Sequence, residues 1–190
     1  MKPRLLFVCV MAALAMTAPA SAAIFTGSST PGATVTDYST ASLVSFDLDM
    51  TDFSTTRLAF MLEEGDLLSP LLSLNAIVRN LSGAGLQRFT LSVDGMAFSG
   101  QGSVTPTFGT LGATTYGSHA ATVDFLTPEW AEFHFGNPLA LADKSNWMLD
   151  VSGMRAGDTF GITSSVPEPS TLALMLACTA LLSFTARRKG

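Results

Sequence analysis

Three short stretches of this chain set ionisable side chains close enough together to do chemistry. In Phe46-Asp47-Leu48-Asp49-Met50-Thr51-Asp52, two carboxylates lie two residues apart on one face of an extended strand, and Asp52 follows after a turn. Oxygen ligands grouped this way suit Ca²⁺, but the glycine and distal bidentate glutamate of a helix-loop-helix calcium loop are missing, so a solvated acidic edge is the competing reading. Glu132 and His134 share a strand face with Trp130, the arrangement of an acid–base pair beside a sugar-stacking ring. An enzyme acting on matrix carbohydrate would need Glu132 or Glu129 set across a cleft from a second acid such as Asp124 or Asp150. Glu63-Glu64-Gly65-Asp66 is an acidic turn, His119 follows Tyr116-Gly117-Ser118 in a loop, and Asn80-Leu81-Ser82 has the form of a glycosylation acceptor.

These residues sit in a region that reads as β. Short runs rich in Val, Phe, Thr and Leu alternate with period two between clusters of Gly, Ser, Asn, Asp and Pro. Strands are expected near Ala33–Tyr38, Ser42–Asp49, Arg57–Glu63, Leu72–Asn80, Leu86–Val93, Met96–Ser99, Ala121–Leu126, Trp130–Phe135, Trp147–Ser152 and Asp158–Thr163. Asp94-Gly95 reads as a type I′ hairpin turn, and Ser82-Gly83-Ala84-Gly85 joins two alternating runs. From Gly100 to Ser118 the density of Gly, Thr and Ser suggests a long loop with one strand, Ser103–Phe108, and Leu67 to Leu74 could form a short helix. In Leu86–Val93, the set Leu86, Arg88, Thr90 and Ser92 should oppose Gln87, Phe89, Leu91 and Val93. Strands at this spacing point to an all-β fold, a β-sandwich or jelly roll.

Both ends of the chain differ from this body. Lys2 and Arg4, the apolar run Leu5 to Met16 and the small residues Ala20-Ser21-Ala22 form a signal peptide, with cleavage expected between Ala22 and Ala23. At the other end, Val166-Pro167-Glu168-Pro169-Ser170-Thr171 precedes an uncharged run from Leu172 to Ala186 and then Arg187-Arg188-Lys189. The two prolines fix an extended segment, so a helix begins at or after Pro169. At about 1.5 Å per residue the apolar run spans roughly 22 Å of a bilayer core about 30 Å thick. It is a marginal transmembrane helix. The three cations act as a basic stop that keeps the C-terminus in the cytoplasm and leaves everything before Pro169 outside.

That order of signal peptide, Pro-Glu-Pro motif, apolar helix and basic tail resembles the PEP-CTERM class of exported bacterial proteins, an element also known as the ice-binding protein C-terminal domain. The resemblance implies a Gram-negative host, export by the Sec machinery and signal peptidase, transient insertion in the inner membrane, and processing near Pro167-Glu168-Pro169 by an exosortase, an integral-membrane protease. It further implies delivery to the cell surface or to an extracellular, exopolysaccharide-rich biofilm matrix. It covers about twenty-five C-terminal residues and transfers sorting alone. The expected organisation is therefore a signal peptide over 1–22, an all-β extracellular domain over 23–165 and a sorting signal over 166–190.

Subtracting both ends changes the composition that matters. Cys9 lies in the signal peptide and Cys178 in the apolar run, so residues 23–165 hold no cysteine; disulfides, thiolate metal sites and cysteine nucleophiles are excluded there. Arg57, Arg79, Arg88, Lys144 and Arg155 face fourteen carboxylates in that segment, a net −9 against the −5 of the whole chain. So acidic a body excludes nucleic acid as a partner. Gly-x-Ser-x-Gly, a glycine-rich phosphate loop and His-Glu-x-x-His are all absent, so neither catalytic residues nor a resident cofactor are expected. The primary expectation is a non-catalytic structural or adhesive module, with glycan contact through Trp130, Trp147 and Tyr116. The alternatives are a secreted carbohydrate-active enzyme or glycan-binding module, and ice binding. Ice binding needs regularly spaced threonines on aligned strands, whereas Thr105, Thr107, Thr110, Thr114 and Thr115 are irregular.

Overall fold

Period-two runs become strands because each can bury one side chain in two. A computed structural model describes residues 22–29 and 32–167 and contains thirteen strands there. They are β1 (Ile24–Ser29), β2 (Ala33–Asp37), β3 (Leu43–Met50), β4 (Thr56–Met61), β5 (Leu71–Asn80), β6 (Leu86–Asp94), β7 (Ala97–Gly100), β8 (Val104–Pro106), β9 (Thr110–Tyr116), β10 (Ala120–Glu129), β11 (Glu132–Phe135), β12 (Trp147–Asp150) and β13 (Thr159–Ser165). A 3₁₀ turn at Glu64–Leu68 is the one helical element among the described residues, none of which form a helix long and apolar enough to cross a membrane. The signal peptide up to Ser21, the sorting motif from Glu168 and the apolar run Leu172 to Ala186 with its basic stop lie outside the described residues.

The strands form two sheets. The first has the order β1-β4-β13-β6-β10-β9 and is antiparallel throughout. The second runs β2-β3-β5-β11-β8, with β12 and then β7 extending it beside the first half of β5. β3 and β5 are parallel from Leu43↔Ser73 to Met50↔Asn80, because the chain crosses to β4 in the other sheet between them. A β-sandwich fits this arrangement, whereas a wholly antiparallel jelly roll does not. Among the described residues, four connections cross between the sheets at one end, at residues 51–55, 81–85, 107–109 and 130–131, and β13 also finishes there.

The core lies between the sheets. Phe89 of the first sheet packs edge-on against Phe133 of the second at 5.2 Å, Phe125 meets Phe133 at 5.3 Å, and Phe46 meets Phe60 at 6.2 Å. Trp147 is fully buried and stacks on Phe135 at 4.6 Å and 6°. Each such side chain contributes about 1.5–3 kcal/mol by burial, with about 0.5–1.5 kcal/mol more for a well-placed ring pair. Without cysteine, this core is what replaces disulfides. The segment 136–146 folds over the outside of the second sheet, pinned by Asn75, which accepts from Ser45 Oγ at 2.6 Å and donates to Asn146 Oδ1 at 3.0 Å. Gly136 permits the approach: its φ is +83°, and a Cβ there would lie 2.8 Å from the Asn75 Cβ and the Leu74 carbonyl oxygen.

Several expectations differ from what forms. β1 and β9 are edge strands with mostly exposed residues, so they lack the apolar alternation that marks a half-buried strand. Asp94-Gly95 is not a hairpin: β6 belongs to the first sheet and β7 to the second, and Gly95 (φ +89°) turns the chain across the sandwich. Leu86 is buried and Gln87 exposed, the reverse of simple alternation, because the β6–β10 register slips between Asp124↔Arg88 and Glu129↔Leu86. Leu67 to Leu74 is not a helix; the 3₁₀ turn ends at Leu68 and β5 begins at Leu71. β11 starts at Glu132 rather than Trp130, since Trp130 and Ala131 make the crossing between sheets.

Phe133→Ala should destabilise the domain by about 3–5 kcal/mol in urea denaturation, because it opens a cavity between Phe89 and Phe125. Leu68→Ala, at an exposed position, should change stability by less than about 0.5 kcal/mol.

Candidate functional site

The outer face of the second sheet gathers charge around one cation. Strand register puts Asp49, Arg79 and Glu132 in one row across β3, β5 and β11, with Asp47 two residues away on the same face. Arg79 Nη2 donates to Asp47 Oδ2 at 2.7 Å and Nη1 to Asp49 Oδ1 at 2.9 Å, and Nε lies 3.4 Å from Glu132 Oε2. His134 Nε2 is 3.6 Å from the other Glu132 oxygen. A planar guanidinium fits such a fork of carboxylates, and the hydrogen bonds to Asp47 and then Asp49 raise its pKa further. The position a calcium ion would take between Asp47 and Asp49 is filled by the protein's own cation.

Asp52 does not join them. Its Oδ1 accepts the Ser54 backbone N–H at 2.8 Å, and side-chain and backbone hydrogen bonds from Ser54 lower its pKa. Among the described residues no group of three or more His, Cys, Asp or Glu side chains is arranged to hold a metal ion. Asp66 of the acidic turn is buried and accepts from the backbone N–H groups of Ser42 (3.1 Å) and Glu63 (3.0 Å), an anchor for two loops.

The proposed acid pairs are not assembled either. Glu129 is buried, and its Oε2 accepts the backbone N–H groups of Thr107, Phe108 and Gly109 at 2.9, 2.9 and 2.8 Å while Oε1 accepts that of Ala131 at 2.9 Å. Burial acts to raise its pKa, and the four N–H donors together outweigh it, so the carboxyl is held below the ordinary glutamate range. Asp124 pairs with Arg88 on the outside of the first sheet, the face opposite to Glu132. Asp150 is level with Leu71 and Glu132 with Arg79, eight residues apart along β5, or roughly 26 Å at about 3.3 Å per residue. Glycosidase carboxyls stand about 5–9.5 Å apart.

The aromatic and hydroxyl candidates are dispersed. Trp147 is not a surface ring but the fully buried centre of the Phe98, Tyr116 and Phe135 contacts. Trp130 and Tyr116 are exposed but lie at opposite ends of the sandwich. Thr105 is in the second sheet, Thr107 in a connection, and Thr110, Thr114 and Thr115 on β9 of the first. These threonines share no flat face. The Asn80 amide is buried and donates to the carbonyls of Ala84 (2.6 Å) and Glu129 (3.0 Å), so it is committed to the fold rather than offered for glycosylation.

The ends of the body abut the expected processing sites. Ala23 is buried immediately before β1, one residue after Ala22. Ser165 closes β13 opposite Thr90, and Val166 packs against the core with Pro167 next. The charge cluster escaped sequence reading because Arg79 reaches β3 only through a long-range parallel pairing, although a lone cation in the apolar run Leu71–Asn80 is itself a sign of a partner. Glu129 carried no such signal beyond following Pro128.

Glu129→Gln should cost about 1.5–3 kcal/mol, the worth of a charged hydrogen bond, since the amide offers one acceptor where four N–H groups converge. A lowered native pKa contributes stability that is present above the unfolded value and is lost as pH falls through the native one. Wild-type denaturation midpoints should therefore drop below the ordinary glutamate range, and the difference from Glu129→Gln should shrink there.

Comparison with known proteins bears on the C-terminus alone. A family model for the PEP-CTERM protein-sorting motif matches residues 165–189, beginning on the last residue of β13. No curated protein and no solved structure matches the chain. The chain thus carries a PEP-CTERM protein-sorting motif, which implies an exported protein with a transient membrane anchor that exosortase processes.

Proposed function

We propose that residues 23–165 are a non-catalytic structural or adhesive module, delivered by the sorting motif to the cell surface or extracellular matrix of a Gram-negative bacterium. One observation carries this reading: the carboxylates that could do chemistry already have structural partners. Glu129 holds two connections through four backbone N–H groups, Asp47, Asp49 and Glu132 surround Arg79, and Asp124 pairs with Arg88. General acid–base work needs a carboxyl free to exchange its proton with substrate. A carboxylate fixed by several donors is a strut. Exopolysaccharide is the proposed surrounding, with the body filling or linking the matrix.

Glycan binding through exposed rings is the second reading, favoured by Trp130 and Tyr116. An array of bacterial and plant polysaccharides, probed with the exported protein with and without Ca²⁺, separates the two. No calcium-dependent or aromatic-dependent binding is expected. A dose-dependent signal that disappears in Trp130→Ala would establish a glycan-binding module instead.

A further inference from the structure

We infer that the end of the sandwich from which the sorting motif leaves is a membrane-facing surface, seated in the lipid headgroup region while the tail is anchored. The inference rests on the sorting reading of the tail and adds to it an orientation and a lipid contact. Its first ground is chain length. Val166 packs against the core, and only residues 166–171 separate β13 from Leu172, where the apolar run begins. Six residues span at most about 20 Å when fully extended. This tether holds the end of the body within about 20 Å of the start of the apolar run.

Composition supplies the second ground. The connections 51–55, 81–85, 107–109 and 130–131 at this end contain one ionisable residue, Asp52. They expose Leu81 (57%), Phe108 (72%) and Trp130 (58%). These three side chains belong to connections that are joined to one another. Glu129 accepts the Phe108 and Ala131 N–H groups, Asn80 reaches the Ala84 and Glu129 carbonyls, and a Cβ on Gly85 would lie 2.9 Å from the Trp130 ring. A surface with one carboxylate, Asp52, and an exposed Trp and Phe on anchored connections matches the aromatic belt of a membrane interface. The opposite end differs: it also exposes Tyr38, Leu68 and Tyr116, but among Asp37, Glu63, Glu64, Asp94, Asp150 and Asp158, which outnumber Arg155 there. Carboxylates are repelled by anionic lipid, so charge favours the same orientation as chain length does.

The two tryptophans make the test direct, because Trp147 is buried and Trp130 is not. The signal-peptide-free chain, residues 23–190, would be reconstituted into phosphatidylcholine vesicles with and without brominated acyl chains, and flotation with the vesicles would report anchoring. The expected result is a blue shift of Trp130 emission and its loss to bromine, with that loss absent in Trp130→Phe and reduced in Phe108→Ser. Flotation with Trp130 still open to aqueous iodide would overturn the membrane-facing end while leaving the sorting reading intact. Failure to float would overturn both. A Trp130 shift produced by soluble polysaccharide without vesicles, and unchanged by adding them, would assign the face to glycan and likewise overturn the inference.

Discussion

A single buried carboxylate closes the end of this sandwich. Glu129 accepts four backbone N–H groups from residues 107–109 and 131, joining the connection between β8 and β9 to the one between β10 and β11. Leaving so many donors unmet in a buried turn would cost about 1–3 kcal/mol each. The same residue's carbonyl accepts from Asn80, which draws in the connection after β5. The placement of Phe108 and Trp130 follows from this clasp, at the point where β10 ends level with the start of β6. The sheets supply the core, and Glu129 determines how three crossings fit over one end of it.

A cysteine-free exported body must rely on such devices. Its fourteen carboxylates against five cations would repel one another unless distributed, and four of the cations are held in pairs: Arg79 among Asp47, Asp49 and Glu132, Lys144 with Asp143 at 3.4 Å, Arg88 with Asp124, and Arg57 with Asp94 at 3.0 Å. The last two are exposed pairs and contribute little to stability. The Arg79 cluster is half-buried and ties three strands of one face. Excess negative charge collects at the end remote from the sorting motif, so the molecule is asymmetric along the axis of its strands.

What was legible in the sequence follows the range of the interactions involved. Strands such as β3 and β5 could be read because alternation is local, and the sorting motif because it is contiguous. β1 and β9 were hidden because edge strands need not alternate, and Asp94-Gly95 misled because a turn's chemistry does not say which sheet the next strand joins. Trp147 looked like a surface ring in sequence, but its neighbours Phe98 and Phe135 arrive from other strands. Likewise, Asp47 and Asp49 resembled metal ligands until parallel pairing brought Arg79 between them. The chemistry of a β protein's surface is set by pairings distant in sequence, and a carboxylate's partner is the last thing local pattern reveals.

The last strand of the β-sandwich passes directly into a sorting motif that implies processing by exosortase. Intact-mass spectrometry of the protein recovered from membranes and from the cell exterior, for wild type and Glu168→Ala, tests it most directly. The expected wild-type product begins at Ala23, ends at or beyond Val166 and lacks the apolar run, while Glu168→Ala stays in the inner membrane at the mass of residues 23–190. An exported product that retains Leu172 to Ala186, or a variant released as efficiently as wild type, would contradict it.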